Sequence, residues 1–250
     1  MFKRLFTAAA AAAATLISSA PVSALTPQQL TSKLDTILVF MPAEGGNPRP
    51  VEYELDGKKR SVYFAAFSPS AINEILQNKI GAKNPQLAKE IKFQPASLAK
   101  FDSLVQPELK RNLNARVVYV PDPEQADITR QLLSEQGLDD VQISQVLNNV
   151  PVVFCPNPSL LATAGSGPLE GQSFVPCSTD YSTLKSLMDR SIAANPDVAA
   201  KNPKVVAIIL PQFIQNLGKA SSDDVEKIRV LPTPASVRLL NDARSNSGAQ

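Results

Sequence analysis

The side chains that could carry acid–base or nucleophilic chemistry are few, because the sequence contains no histidine. The Ser-His and Cys-His nucleophile pairs and the most common zinc ligands are therefore missing. Two adjacent acid pairs, Asp139-Asp140 and Asp223-Asp224, could act as general acid and base. Neighbours in sequence point in different directions, and both pairs adjoin predicted helix starts, so we interpret them as helix caps. We expect no catalytic residues, and an enzyme that uses carboxylates alone is the least favoured alternative.

A serine between two glycines, Gly165-Ser166-Gly167, is the other segment that resembles a chemical motif. It lacks the G-x-S-x-G spacing of a nucleophile elbow, and no Gly-Lys-Ser/Thr follows it as a phosphate loop requires. We interpret it as a loop, and we predict that the protein uses neither a cofactor nor a metal ion.

The N-terminal segment has the three parts of a secretory signal peptide. Lys3 and Arg4 precede an alanine-rich apolar run, and small residues up to Ala24 offer a cleavage site before Leu25. A membrane anchor is the alternative, but the run is shorter than the ~20 strongly apolar residues of a span. We predict a signal peptide over residues 1–24 and a secreted protein of the periplasm, with the thylakoid lumen as the alternative.

The remaining chain is formally neutral. Without Lys3 and Arg4, the 25 Lys and Arg residues become 23, which equals the 23 Asp and Glu residues. A nucleic-acid partner requires a concentrated positive patch, so this class of protein is not expected. With 44% hydrophobic residues the chain can bury a sizeable core, and no other segment is apolar enough to span a bilayer.

The chain is organised around a segment that occurs twice. Gln29–Pro42, QLTSKLDTILVFMP, resembles Gln142–Pro156, QISQVLNNVPVVFCP, at separations of 113 and 114 residues. Further matches at separations of 110 to 112 pair Phe64 with Phe174, Ser68 with Ser178, Asn84-Pro85 with Asn195-Pro196, Phe101 with Phe213, and Pro121 with Pro232. Independent landmarks that recur at one spacing indicate a duplication. We predict two halves, residues 25–140 and 141–250, packed as one compact unit with pseudo-twofold symmetry.

Hydrophobic periodicity and capping residues predict the order α-β-β-β-α-β-α-β-α in each half, which is a mixed α+β fold. The apolar run Val205–Leu210 predicts a central strand in the second half. The Gly-rich segment Leu160–Gly171 predicts a loop-like edge in place of a hairpin.

The two cysteines, Cys155 and Cys177, are predicted to form a structural disulfide, because secretion places them where such a bond persists. In the repeat alignment they occupy the positions of Met41 and Phe67. If those two are neighbours on adjacent strands, the cysteines are placed to bridge. A redox pair and two buried thiols are the alternatives.

Aromatic and leucine side chains recur in both halves, and most of them are typical of two hydrophobic cores. A sharper hypothesis is an apolar groove in each half, formed by Leu98 and Phe101 and by their counterparts Phe213 and Leu217. Such doubled grooves would suit an extended, non-native polypeptide.

Four segments of the chain match a known family: LDTILVFMP, DGKKRSVYFAAFSPSAINEIL, NPQLAKEIKFQPASLAKF and VVYVPDPEQADITRQLL. Through them the chain resembles the Tic-twenty-two-like family in its cyanobacterial form. These segments are patterns of apolar and proline positions, and the resemblance covers most of the chain after the signal. The resemblance implies a duplicated α+β protein of pseudo-twofold shape with apolar pockets. It also implies a chaperone-like carrier that cooperates with POTRA domains of the outer-membrane barrel-assembly factor, and it supplies no catalytic residue.

We therefore predict a non-enzymatic periplasmic binding protein that escorts precursor polypeptides for outer-membrane biogenesis or protein translocation. The alternative is an adaptor that docks the folded POTRA domains and has no affinity for unfolded chains.

Overall fold

The computed structural model describes residues 26–55, 57–82, 84–163, 171–219 and 227–247. The predicted signal peptide with its cleavage site at Ala24 and Leu25, the segment Gly165-Ser166-Gly167 and the pair Asp223-Asp224 lie outside these ranges. The described chain forms two compact units. The first-sheet unit consists of residues 34–124, 148–151 and 232–247, and the second-sheet unit consists of residues 26–33, 125–147 and 152–231.

Helices and strands are interspersed along the described residues. The first half contains α1 (Pro27–Leu34), β1 (Leu38–Glu44), β2 (Asn47–Pro48), β3 (Val51–Leu55), β4 (Lys58–Ala66), α2 (Pro69–Glu74) with a π-helical continuation (Ile75–Gly81), α3 (Pro85–Glu90), β5 (Phe93–Ser97), α4 (Leu98–Arg111), β6 (Ala115–Val120), a 3-10 turn (Pro123–Gln125) and α5 (Ala126–Glu135). The second half contains α6 (Asp140–Asn149), β7 (Val152–Asn157), β8 (Ala162–Thr163), β9 (Ser173–Ser178), α7 (Tyr181–Ala194), α8 (Pro196–Ala200), β10 (Lys204–Ile209), α9 (Leu210–Lys219), β11 (Ile228–Leu231) and α10 (Pro234–Ser247). Apart from the short additions β2, α3 and α8, this is the predicted order, and the mixed α+β class is confirmed.

Polar residues cap the helices at positions that recur in the two halves. The Gln29 N–H donates to Thr26 Oγ1 at 3.2 Å, and the Thr26 N–H donates back to Gln29 Oε1 at 2.9 Å. The same reciprocal capping box joins Asp139 and Gln142, at 2.8 and 3.1 Å. The recurrence of Gln29 at Gln142 therefore has a physical cause, because each glutamine satisfies a backbone donor at the start of a helix.

In the first sheet, β5, β1, β4 and β6 lie side by side. β2 pairs antiparallel with the end of β1, and β3 forms a hairpin with β4. β1 is antiparallel to β5 and β4, and β4 is parallel to β6. Phe40 lies opposite Pro95 on one side and Ala66 on the other. Side chains from these strands, from α2 and from its π-helical continuation form one hydrophobic core. Its buried members include Phe40, Val62, Phe64, Ala71, Ile75 and Ile80.

The second sheet has the order β10-β7-β9-β11, with β8 paired to β9. β7 is antiparallel to β10 and β9, and β9 is parallel to β11, so strand order and directions agree with those of the first sheet. Phe154 lies opposite Ser178 as Phe40 lies opposite Ala66. The duplication itself and its pseudo-twofold packing stay predictions.

Within the predicted duplication, the register of the two sheets corrects the landmarks Phe64–Phe174 and Ser68–Ser178 of the repeat alignment. Ala66 and Ser178 occupy equivalent positions although they are 112 residues apart, not 110. Ser68 caps α2 and Asp180 caps α7, so the counterpart of Ser68 is Asp180 and not Ser178. The sequence alignment followed residue identity, whereas the structure conserves the position of the cap.

The expectation of a central strand at Val205–Leu210 is wrong, because β10 lies at the end of the second sheet. Val205 and Ala207 are nevertheless buried and the three other apolar side chains are partly buried, since α5 and α9 pack against the strand. Burial by helices at a sheet edge produces the same apolar sequence as burial between two strands.

The two units exchange helices along the sequence. α5 follows β6 but belongs to the second-sheet unit, and α10 follows β11 but belongs to the first-sheet unit, where it contacts α2. The units therefore cross the predicted repeat boundary at residue 140, and neither half of the sequence contains a whole unit. No helix in the described part of the chain has the length and apolar character of a membrane span.

Candidate functional site

The four side chains proposed for apolar grooves lie in the interior. Leu98 and Phe101 are 0% exposed, and Phe213 and Leu217 are 3% and 2% exposed. Each pair forms the inward face of an amphipathic helix, α4 or α9, that packs on its sheet. The assignment of an open groove to these residues is corrected, because side chains that seal a core offer no surface to a ligand.

Phe101 belongs to an aromatic cluster beneath α4. Its ring meets the ring of Tyr119 on β6 edge-to-face at 6.3 Å, and Phe67 meets the same tyrosine at 6.2 Å. The Tyr119 hydroxyl donates to Asp102 Oδ1 at 2.9 Å. Burial raises the pKa of Asp102, while this hydrogen bond opposes the rise, and burial beside Asp102 raises the pKa of Tyr119. The pair is a partly buried structural contact between α4 and β6, and among the described residues it belongs to no cluster of three or more acidic side chains.

Cys155 and Cys177 form a disulfide that joins β7 to β9. Their Cα atoms are 4.4 Å apart, the spacing of directly opposed residues in an antiparallel pair. The prediction that Met41 and Phe67 are neighbours used the wrong register of the strand pair. Because Phe40 lies opposite Ala66, Met41 lies opposite Ala65. The two cysteines are 7% and 2% exposed, which is typical of a structural bond.

The acid pair Asp139-Asp140 serves helix α6. Asp139 accepts the capping hydrogen bond described above, and Asp140 is exposed in the first helical turn. Among the described residues there is no group of three or more acidic or cysteine side chains that could hold a metal ion. Of the two acid pairs, the one that the structure describes, Asp139-Asp140, therefore stabilises the start of a helix.

A polar cluster that the sequence did not reveal surrounds Asp180 in the second-sheet unit. The Thr183 N–H donates to Asp180 Oδ1 at 2.7 Å, and Gln125 Nε2 donates to Asp180 Oδ2 at 2.9 Å. Gln125 also accepts the N–H of Tyr181 at 3.0 Å. Burial alone raises the pKa of Asp180, but the hydrogen bonds from Thr183, Ser182 and Gln125 together outweigh it and lower the pKa. This cluster fixes the start of α7.

A second unforeseen contact covers the outer edge of β10. Gln136 Nε2 donates to the Ala207 carbonyl at 2.9 Å, and the Ala207 N–H donates to Gln136 Oε1 at 2.8 Å. The side-chain amide pairs with the strand as a peptide unit of a neighbouring strand would. Glutamine at a helix end gives no sequence signal for this role, because the partner lies 71 residues away.

One group of partly buried apolar side chains in the first-sheet unit lies around α2, whereas the predicted groove residues of α4 are covered. Partly buried hydrophobic side chains rest on the closed core there: Ile72 and Leu76 of the α2 segment, Leu87 and Ala88 of α3, and Leu239 of α10. We call this set the α2 surface. A surface of partly exposed aliphatic side chains can bind apolar segments of a polypeptide, and it contains no group for catalysis.

Neither protein-family models nor curated protein sequences give a match to this chain. Solved structures do. Anabaena Tic22, a protein transport protein, superposes with a TM-score of 0.63 at 18% sequence identity, covering 87% of this chain and 97% of that one. The chain has the Tic22 fold. Tic22 from Plasmodium falciparum superposes with a TM-score of 0.59 at 17% identity, covering 87% of this chain and 98% of that one.

The Tic22 fold is thus matched over almost the whole length of both neighbours. The resemblance stated from the sequence motifs is confirmed at the level of the fold. At 17% and 18% identity most side chains differ, so the fold is shared while the surfaces are this protein's own.

Proposed function

We propose that this protein is a chaperone-like binding protein that acts in protein transport. The observation that carries the proposal is the likeness in fold to Anabaena Tic22, a protein transport protein, over 87% of this chain. The sequence adds support, because a chain without histidine lacks the usual catalytic groups of a hydrolase.

We further propose that the protein is secreted into the periplasm and escorts unfolded outer-membrane precursors. Its folded partner is the POTRA region of the barrel-assembly factor. The α2 surface supports the binding of non-native chains, since aliphatic side chains contact many sequences without requiring a specific polar match. The matching strand orders of the two sheets support the further proposal that the units arose by duplication and are related by a pseudo-twofold axis.

Aggregation of a denatured outer-membrane barrel protein tests the escort function. The denatured protein is diluted into buffer with and without the mature chain, and light scattering is followed, with an inert protein of similar size as the control. Suppression near equimolar amounts is expected. Scattering that is unchanged at a tenfold molar excess of the mature chain would refute escort.

An adaptor that docks folded POTRA domains is the second candidate, as the resemblance of the sequence motifs also implies. An adaptor would bind an isolated POTRA segment stoichiometrically and would ignore the denatured barrel protein. Titration calorimetry with the folded segment, run beside the scattering assay, separates the two functions.

A further inference from the structure

Three cationic residues share one face of the first sheet, at the end where β4 begins. Lys58 and Arg60 lie on the same face of β4 as Val62, because side chains alternate along a strand, and Val62 belongs to the hydrophobic core beneath α2. Arg116 lies directly opposite Val62 on β6, so it belongs to this face too. We call Lys58, Arg60 and Arg116 the cationic row. It continues the face of the core beyond the last apolar residue of β4.

The acids of the neighbouring strand β3 lie on the other face of the sheet. Glu52 is opposite Ser61, whose Oγ donates to Glu52 Oε1 at 2.7 Å, and Glu54 is opposite Lys59. On the face of the cationic row, the β3 residues opposite Arg60 and Lys58 are a tyrosine and a leucine. No ion pair joins the row to an acid among the described residues. The three positive charges are therefore not neutralised within this part of the chain.

Two members of the row have guanidinium groups that are held by the protein. The Arg116 Nη1 donates to the Leu113 carbonyl at 2.8 Å and to the Ala115 carbonyl at 2.6 Å. Arg60 is half-buried, and its Nε is a buried donor without an acceptor among the described residues. A buried donor without an acceptor is unfavourable, and a carboxylate is the acceptor whose shape matches the N–H groups of a guanidinium. The row is thus suited to carboxylate ligands.

The three cations lie at successive alternate levels along the strand. Arg60 follows Lys58 by two residues, and Arg116 is level with Val62, two residues further on. At about 3.3 Å per residue, the levels are about 6.6 Å apart and the row extends over about 13 Å. A single phosphate or carboxylate is too small to contact all three. An extended polypeptide repeats its alternate side chains at the same interval, so acids at positions i, i+2 and i+4 match the row.

We propose that the cationic row binds an extended segment of a client polypeptide with acidic residues at alternate positions. This inference rests on the proposed function and adds the charge pattern by which a client segment is recognised. A membrane surface with anionic lipids is the other large anionic partner. It would attract the exposed Lys59 on the opposite face of the hairpin as strongly as Lys58, whereas the extended segment contacts only the face of the row.

A fluorescent peptide with the sequence Glu-Thr-Glu-Thr-Glu-Thr-Thr tests the proposal, with its anisotropy followed as the mature chain is added. Threonine keeps the peptide extended, and Glu-Thr-Thr-Glu-Thr-Thr-Glu has the same composition without acids at alternate positions. The first peptide should bind and the second should bind at least about tenfold more weakly, because it can match only one cation at a time.

Three variants of the mature chain locate the binding. Arg60→Gln should weaken binding of the alternating peptide about tenfold, because a charged hydrogen bond is lost. Lys58→Gln should weaken it about threefold, since an exposed ion pair contributes less. Lys59→Gln is the matched control, because it removes the same charge from the adjacent residue on the other face, and it should change binding by less than about 1.5-fold. Melting curves establish that each variant is folded, and the exposed Lys58 keeps the test valid if Arg60→Gln is not.

Equal weakening by Lys58→Gln and Lys59→Gln would overturn the proposal, since it would show a general effect of charge. Equal binding of the two peptides would overturn it as well. Cosedimentation with vesicles of phosphatidylglycerol and phosphatidylcholine in equal parts, without peptide binding, would assign the row to a membrane and overturn the peptide site. The light-scattering assay separates this inference from the proposed function. Peptide binding with the expected variant pattern but no suppression of aggregation would support the site and refute escort, whereas suppression without peptide binding would overturn the site and leave escort standing.

Discussion

The paired hydrogen bonds between Gln136 and Ala207 provide the sharpest test of the structure. Replacing Gln136 with alanine removes both bonds and leaves the backbone N–H and carbonyl of a residue that is 2% exposed without these partners. A typical intramolecular hydrogen bond contributes about 1 kcal/mol net, and an unsatisfied buried group costs more. We expect the edge of β10 at Ala207 to be destabilised by about 2 kcal/mol.

Native-state hydrogen exchange reports this edge directly. A loss of about 2 kcal/mol corresponds to roughly thirtyfold faster exchange of the Ala207 amide. Gln131→Ala is the matched control, because Gln131 lies in α5, which Gln136 directly follows as the C-cap, and its side-chain amide donates to the exposed Glu135 of the same helix. Gln136→Glu retains an acceptor for the Ala207 N–H and loses the donor, so its effect should fall between the two.

Equal exchange of the Ala207 amide in Gln136→Ala and Gln131→Ala would refute this reasoning. It would mean that water satisfies the edge as well as the glutamine does. Unchanged exchange throughout β10 would also refute the view that the strand is an edge held by α5.

Three further predictions concern the interior. Changing Cys155 and Cys177 together to alanine should cost roughly 3 kcal/mol, as expected for a bridge across a sequence separation of 22, and should lower the melting temperature by several degrees while client binding persists; equal melting curves would contradict it. Asp180→Asn should make the free energy of unfolding depend less on pH. The lowered pKa of Asp180 stabilises the fold above the pKa of the unfolded state, about 3.9, and this stabilisation is lost as the pH falls below it. Urea unfolding should therefore show the largest difference between the variant and the unaltered chain at neutral pH and the smallest at pH 2. Tyr119→Phe removes the bond that lowers the pKa of Asp102, so carboxyl NMR titration should show that pKa rise further; an unchanged value would exclude the contact.

The sequence by itself determined the α+β class, the order of elements and some of the helix starts, such as that of α6 at Asp139. Capping boxes, N-terminal prolines and hydrophobic periods act over a few residues, so they can be recognised without the fold. The disulfide was also predicted, because the chain offers Cys155 only Cys177 as a partner.

Only the tertiary structure decided which apolar residues are covered and by what. Leu98 and Phe101 have the periodicity of a groove and of a core alike, and packing of α4 on the sheet buries them. The apolar run of β10 is compatible with a central strand or with an edge strand under a helix. The structure shows an edge strand packed against α5, whose C-cap residue Gln136 bonds to Ala207, 71 residues away in the sequence. The exchange of α5 and α10 between the units has no local signal, because it depends on which sheet each helix meets after the chain has turned. Local sequence patterns indicate that one face of a helix or strand is buried, whereas the element that covers this face is determined by contacts between residues far apart in the chain.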